Sequence, residues 1–220
     1  PISKSSILSE WPCRGAAPAA ERRDVQRQVH EELLALLLGA LRGNIFLYQG
    51  EELGLQQGEV PFERLQDPEA IANWPATLGR DGARTPLPWS EAAQHAGFST
   101  AEPWLPIDRT HLARSIDRQN RDQDSVLNFT RRVMAFRKTS PALRLGAVEF
   151  LAAPDDVVAF VRAFGPDKAL CVFNIGDKPR RFSPPDASGW SVRIETNAQT
   201  GGEATASLPA WSGYIAVKNA

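Results

Sequence analysis

The chain has 220 residues, 42% of them hydrophobic and 23% charged, with 25 basic and 26 acidic side chains for a formal net charge of −1. This is an ordinary globular composition with room for one domain or two small ones, and the balanced, interspersed charge gives no electrostatic reason to expect nucleic acid or an anionic membrane as partner. Two cysteines, Cys13 and Cys171, stand far apart without a Cys-x-x-Cys spacing, which predicts free thiols rather than a disulfide framework or a zinc site.

Residues 1 to 20 carry Ser, Pro, Gly and Ala without a period and are expected to be irregular. Pro1 opens no signal-peptide pattern, and the apolar run Leu33 to Leu41 falls well short of the ~20 residues that span a bilayer, so a cytoplasmic protein is expected. Met134 is the only methionine, which implies that processing or truncation has removed a beginning. Asp24 is a candidate cap for a helix in which Val25, Val29, Leu33, Leu36, Leu37 and Leu41 recur near the helical period, with Gly39 and Gly43 at its end. Asn44 to Tyr48 then reads as a short strand that delivers a loop running to Trp89, too long to be a mere connection. A second helix opens at Asp122 or Asp124, places Val126, Phe129, Val133 and Phe136 on one face, and stops at Ser140-Pro141. From Gly146 the period becomes two. Val148 with Phe150, Val157–Val161, Ala169–Phe173, Arg180–Phe182, Ser191–Ile194 and Tyr214–Val217 are predicted strands of a small antiparallel β-sandwich.

Within the long loop, Tyr48-Gln49-Gly50-Glu51-Glu52-Leu53-Gly54, Leu65-Gln66-Asp67-Pro68, Trp74-Pro75 and Gly79-Arg80-Asp81-Gly82-Ala83-Arg84-Thr85-Pro86-Leu87-Pro88-Trp89 follow one another in order. These blocks closely resemble the segment after the last barrel strand in α-glucosidases of the oligo-1,6-glucosidase type, members of the α-amylase superfamily. The resemblance runs from roughly residue 25 to the C-terminus. It implies an α/β plus all-β chain, the C-terminal fragment of a (β/α)8 barrel followed by an antiparallel β-sandwich domain. The expected layout is an irregular N-terminus over 1–20, the last part of the barrel with its long active-site loop over 21–145, and the sandwich over 146–220. The two long helices become the seventh and eighth barrel helices, and Asn44–Tyr48 the eighth strand.

In the resembling family the nucleophilic Asp, the acid/base Glu and a third Asp lie on the fourth, fifth and seventh strands, upstream of the part matched here. No catalytic residue is therefore assigned. The resemblance implies the C-terminal portion of a retaining α-glucosidase, acting on an α-glucoside or small oligosaccharide in the full-length protein, without cofactor or metal and inactive as the isolated chain. The alternative is a non-enzymatic binding or interaction module derived from the same scaffold. A one-strand barrel remnant would leave an unclosed edge, so self-association is expected.

Arg80 is the expected substrate-binding residue. The resemblance puts it at the glucose pocket, paired with an upstream Asp outside this chain, and a guanidinium fork suits sugar hydroxyls and a carboxylate partner. Asp81 and Arg84 are expected to brace the loop. Glu51 and Glu52, neighbours at a strand end, are expected to point apart and bond the loop backbone rather than act as a catalytic pair. Trp74, Trp89 and Trp104 could stack on a sugar, though burial under the loop is the main expectation. His30, His95 and His111 lack metal-ligand spacing and are read as surface or capping residues.

Overall fold

The computed structural model describes residues 19–77, 79–184, 189–196 and 207–218. The N-terminal stretch expected to be irregular falls outside these residues except for its last two, as do Asp186 and Gly201-Gly202, where the sequence suggests turns. Contacts divide the chain into two units, residues 1–45 with 130–220, and residues 46–129.

The first unit is built on β-strands. In chain order these are β1 Ala147–Phe150, β2 Val157–Phe164, β3 Asp167–Asn174, β4 Arg180–Arg181, β5 Trp190–Glu195, β6 Ser207–Leu208 and β7 Ser212–Lys218. An antiparallel sheet has the order β1-β2-β3-β7-β5, and β4 pairs with β6 in a separate ribbon. The β2–β3 register is set by a two-residue turn: Phe164 faces Asp167 across Gly165-Pro166, with Gly165 at φ 58° and the proline ring holding the next φ negative. On one face Leu170, Val172, Val192, Tyr214 and Ala216 form a core with Phe182 and Leu208 from beside and within the ribbon. The alternate residues Cys171 and Phe173 are also fully buried, so β3 is covered on both faces. Burial pushes the Cys171 thiol well above its ordinary range.

Helix α1, Ala19–Ala40, begins five residues before the expected cap at Asp24 and packs against β3 and β7. Gly213 of β7 lets the helix approach, because a side chain there would start 3.2 Å from Leu33 Cδ1 and 2.6 Å from Phe173. Gly39 lies inside the last turn rather than beyond it, and a Cβ there would meet Val133 at 2.3 Å. The last turn of α1 carries no basic residue of its own. Two arginines from elsewhere satisfy its exposed carbonyls. Arg137 donates to Gly39 O, Leu41 O and Gly43 O at 2.7 Å each, and Arg162 of β2, fully buried, donates to Ala40 O at 2.6 Å and Gly146 O at 3.0 Å. Cations are favoured where unpaired carbonyls gather at a helix C-terminus.

The second unit contains α2 Pro68–Asn73, α3 Ile116–Arg121 and several single-turn 3-10 helices, with Val60, Leu65, Ala70 and Leu105 as a small core. Helix α4, Val126–Thr139, starts here; its N-terminus is capped by the Ser125 hydroxyl, which accepts from Asn128 N at 3.2 Å, not by Asp122 or Asp124. It ends where expected: Ser140 caps the next helix, α5 Pro141–Leu145, accepting from Leu143 N at 3.3 Å.

Two expectations need correction. Asn44–Tyr48 has no regular secondary structure and pairs with no strand among the described residues. A parallel barrel strand needs neighbours at its edges, and every described pairing is antiparallel and C-terminal to residue 146. Trp74, Trp89 and Trp104 are exposed rather than buried under the loop, Trp74 lying 5.7 Å from the ring of Phe62. Among the described residues, no helix is long and apolar enough to cross a membrane.

Candidate functional site

The loop after Tyr48 is shaped by glycines. Gly50 (φ 94°) and Gly54 (φ 65°) hold left-handed conformations on either side of a 3-10 turn, Glu51–Leu53, in keeping with the acidic turn that the sequence suggests after Gly50. The two acidic side chains fold back onto the backbone: Glu51 Oε2 accepts from Tyr48 N at 3.0 Å and Glu52 Oε2 from Gly50 N at 2.8 Å. Leu53 O is held by Gln119 Nε2 at 2.9 Å, and Gly54 O by Arg114 Nη1 at 2.9 Å.

Arg80 and Asp81 meet a second bend, at Asp67. Asp67 caps α2 by accepting from Glu69 N at 3.2 Å, and Pro68 follows at the first helical position. Arg80 forks onto the same carboxylate, Nε to Oδ2 and Nη2 to Oδ1 at 2.9 Å each, while Arg80 N also donates to Oδ2 at 2.9 Å. The carboxylate that Arg80 meets is thus within this chain, thirteen residues before it, where the resemblance implied a partner further upstream. The pair is lopsided: the Asp67 side chain has no exposed surface, while that of Arg80 is 63% exposed. Asp81 is buried and accepts from Gln66 N at 2.6 Å and Asp67 N at 2.8 Å, so it holds the bend that presents Asp67. Arg84 Nε donates to the Tyr48 hydroxyl at 3.3 Å.

The Arg80 guanidinium holds the Asp67 carboxyl well below the usual carboxylate range, helped by its backbone bonds and opposed by burial. Arg80 is raised in return, chiefly by Asp67. A carboxyl whose folded pKa lies below its unfolded value of about 3.9 adds stability that is present above that pH and lost as pH falls toward the folded value. The melting temperature is therefore expected to fall with pH below about 4 more steeply in the wild type than in Asp67→Asn. Equal acid slopes in the two proteins would show that the pair adds nothing; solvent around Arg80 limits the effect.

A concavity of about 190 Å³ opens between these bends, lined by Tyr48, Gln49, Glu51, Leu55, Gln56, Gln57, Gly82, Ala83, Thr85, Leu87 and His111. Gly82 is required by close approach: a Cβ there would meet Gly58 O at 2.2 Å, and Gly58 N donates to Gly82 O at 2.9 Å. Gln49 Nε2 donates to Thr85 O at 3.2 Å and ties the two sides together. His111 is buried in the wall rather than on the surface or at a cap, its Nε2 3.0 Å from Gln56 O. Of the expected site residues, Glu51 lines the concavity, Arg84 reaches its Tyr48 wall, Asp81 supports the loop from beneath, and Arg80 is not among the lining residues. The sequence reading gives Asp67 only as part of the Leu65-Gln66-Asp67-Pro68 block and His111 only as a surface or capping residue, so neither is expected at the site; the Asp-Pro capping signature marks the first. His111 has no comparable signal.

The lining holds one carboxylate, Glu51. Among the described residues, no group of three or more His, Cys, Asp or Glu is placed to hold a metal ion.

A family model described as the alpha amylase catalytic domain matches residues 16–146. The chain is 41% identical over 194 residues to a probable alpha-glucosidase of Rhizobium meliloti strain 1021, covering 85% of this chain and 34% of that protein. Among solved structures it is similar to an alpha-glucosyl transfer enzyme at 38% identity and a TM-score of 0.77, covering 87% of this chain and 36% of the other. It is also similar to an isomaltulose synthase variant from Erwinia rhapontici NX5 in complex with its natural substrate sucrose, at 26% identity and a TM-score of 0.72, covering 88% of this chain and 39% of the other. The chain spans about a third of the length of the curated relatives it matches.

Proposed function

The chain belongs to the α-amylase catalytic-domain family, and from that premise we propose that it is the C-terminal portion of a retaining α-glucosidase that supplies the rim of the sugar pocket but not the reacting carboxylates. Residues 21–145 contribute the end of the (β/α)8 barrel with its long loop, and 146–220 form a supporting β-sandwich. The observation that carries this reading is the concavity behind Tyr48, lined by polar side chains interleaved with Leu55, Ala83 and Leu87, built on a braced loop, and provided with a single carboxylate. The substrate of the full-length protein is an α-glucoside or small oligosaccharide. Arg80, which does not line the concavity, offers its exposed edge to hydroxyls of a substrate that extends past it, its other edge being fixed on Asp67. Glu51, Asp81 and Arg84 hold the loop in shape.

The 220-residue chain alone is expected to have no hydrolase activity, since a lone loop carboxylate cannot be both nucleophile and proton donor to the leaving group. Incubation with an aryl α-glucoside tests this, and turnover above a heat-killed control would overturn it. Expressed as one polypeptide with an upstream reading frame that encodes the missing carboxylates, the same chain is expected to hydrolyse the glycoside. Failure of that longer protein to do so, with sugar binding retained, would favour a binding module on the same scaffold.

A further inference from the structure

The turn that carries Glu51 is flanked by two left-handed glycines, Gly50 and Gly54, residues whose backbone accepts many conformations, so the turn does not fix its own direction. Two side chains from much later in the chain do. Gln119, on α3 and 7% exposed, donates from Nε2 to Leu53 O and to Arg114 O at 2.9 Å each, and its Oε1 accepts from Leu127 N at 3.0 Å. The two carbonyls only accept and the backbone amide only donates, so the orientation of the Gln119 amide group is determined and both of its protons are engaged. Arg114 Nη1 holds the next carbonyl, Gly54 O, at 2.9 Å. Gln119 thus joins the Glu51–Leu53 turn, the 3-10 segment Arg109–Arg114 and the first turn of α4.

We propose that Gln119 is a positioning residue of the sugar pocket: by holding Leu53 O it sets where Tyr48, Glu51 and Leu55 stand along the wall of the concavity, and ligand affinity depends on it. The inference rests on the sugar-pocket reading above. Gln119 is not among the lining residues, so it acts through the turn and not by touching a ligand. The lever is short. Glu51 lies two residues from the held carbonyl, and its carboxylate accepts from Tyr48 N at 3.0 Å, so a shift at Leu53 is passed to both lining residues. Leu55 N donates to Gly50 O at 2.9 Å across the same turn and moves with it. A role confined to folding would differ in one respect: it would cost stability and leave the affinity of the folded chain unchanged.

The test uses Gln119→Glu, which keeps an acceptor for Leu127 N at the start of α4, where negative charge is favoured, and sets an oxygen against Leu53 O and Arg114 O in place of the donor. Calorimetric titration of the 220-residue chain with D-glucose, at a temperature where wild type and variant are both folded, is expected to show affinity about threefold to tenfold weaker in the variant, the size of one lost hydrogen bond. Amide exchange locates the cause. Tyr48 N and Gly50 N, bonded to Glu51 and Glu52, should exchange faster in the variant while Leu127 N stays protected. Should the variant fold poorly, the wild type decides: saturating glucose should shift the side-chain amide resonances of Gln119 and leave those of Asn73, bonded to Glu69 on α2, in place. Equal glucose affinity in the folded variant, unaltered exchange at Tyr48 and Gly50, or Gln119 resonances indifferent to glucose would each overturn the inference while the sugar pocket stands. If no glucose binds the wild type at millimolar concentration, the inference and the sugar site fall together.

Discussion

Replacing Asp81 with alanine is expected to lower the stability of the loop unit by about 2–6 kcal/mol, from two buried or part-buried amide donors each left without an acceptor at about 1–3 kcal/mol. The donors are Gln66 N and Asp67 N, both on Asp81 Oδ2. The effect should be local first. Amide exchange at Gln66 and Asp67 should accelerate by orders of magnitude while that of the C-terminal strands stays slow. Asparagine is the informative second variant, because its amide oxygen can still accept from both donors. The other oxygen of Asp81, Oδ1, is buried without a partner among the described residues, so an amide group placed there loses no hydrogen bond by being unable to accept. Asp81→Asn is therefore expected to retain most of the protection that Asp81→Ala loses. If the two variants exchange alike, the carboxylate's charge rather than its acceptor geometry holds the bend.

Arg162→Met is expected to destabilise the unit containing the sheet by about 2–4 kcal/mol, since it strips a charged donor from two buried carbonyls. The sign is a contest between two terms. A buried guanidinium without a carboxylate is costly to desolvate, and burial does hold Arg162 below its ordinary pKa, with Arg137 adding repulsion. Against this stand Ala40 O and Gly146 O, groups that methionine leaves unsatisfied inside the protein. A helix terminus with unmet carbonyls makes the second term larger. Urea denaturation of wild type, Arg162→Lys and Arg162→Met should rank them in that order, lysine keeping the charge but reaching one carbonyl instead of two. A methionine variant as stable as the wild type would mean that desolvation cancels the bonds.

Much of this architecture was readable because it rests on local rules. The stop at Ser140-Pro141 combines a capping side chain with a residue that cannot donate, and both act within a few residues. The C-terminal strands alternate in the sequence because neighbouring side chains point to opposite faces, although β6 at Ser207–Leu208 was too short to register. What was missed depends on distant partners. Asn44–Tyr48 has the composition of a strand, but composition does not provide the neighbour that a ladder needs. Ser125 took the cap from Asp122 and Asp124 because its hydroxyl sits three residues before the amide it bonds, a matter of chain direction rather than of residue type. Arg80 drew attention through its motif, yet the carboxylate that orients it lies across a helix start and a bend. His111 reads as one polar residue among many until Gln56, 55 positions earlier, closes on it.

Cys171 sits at the centre of a strand covered on both sides, and its thiol resists forming the negative species that alkylating agents attack. Labelling at this one sulfur thus waits on an excursion that parts the sheet. The rate at which an alkylating reagent adds its mass to this sulfur provides a stopwatch for that opening, read by mass spectrometry.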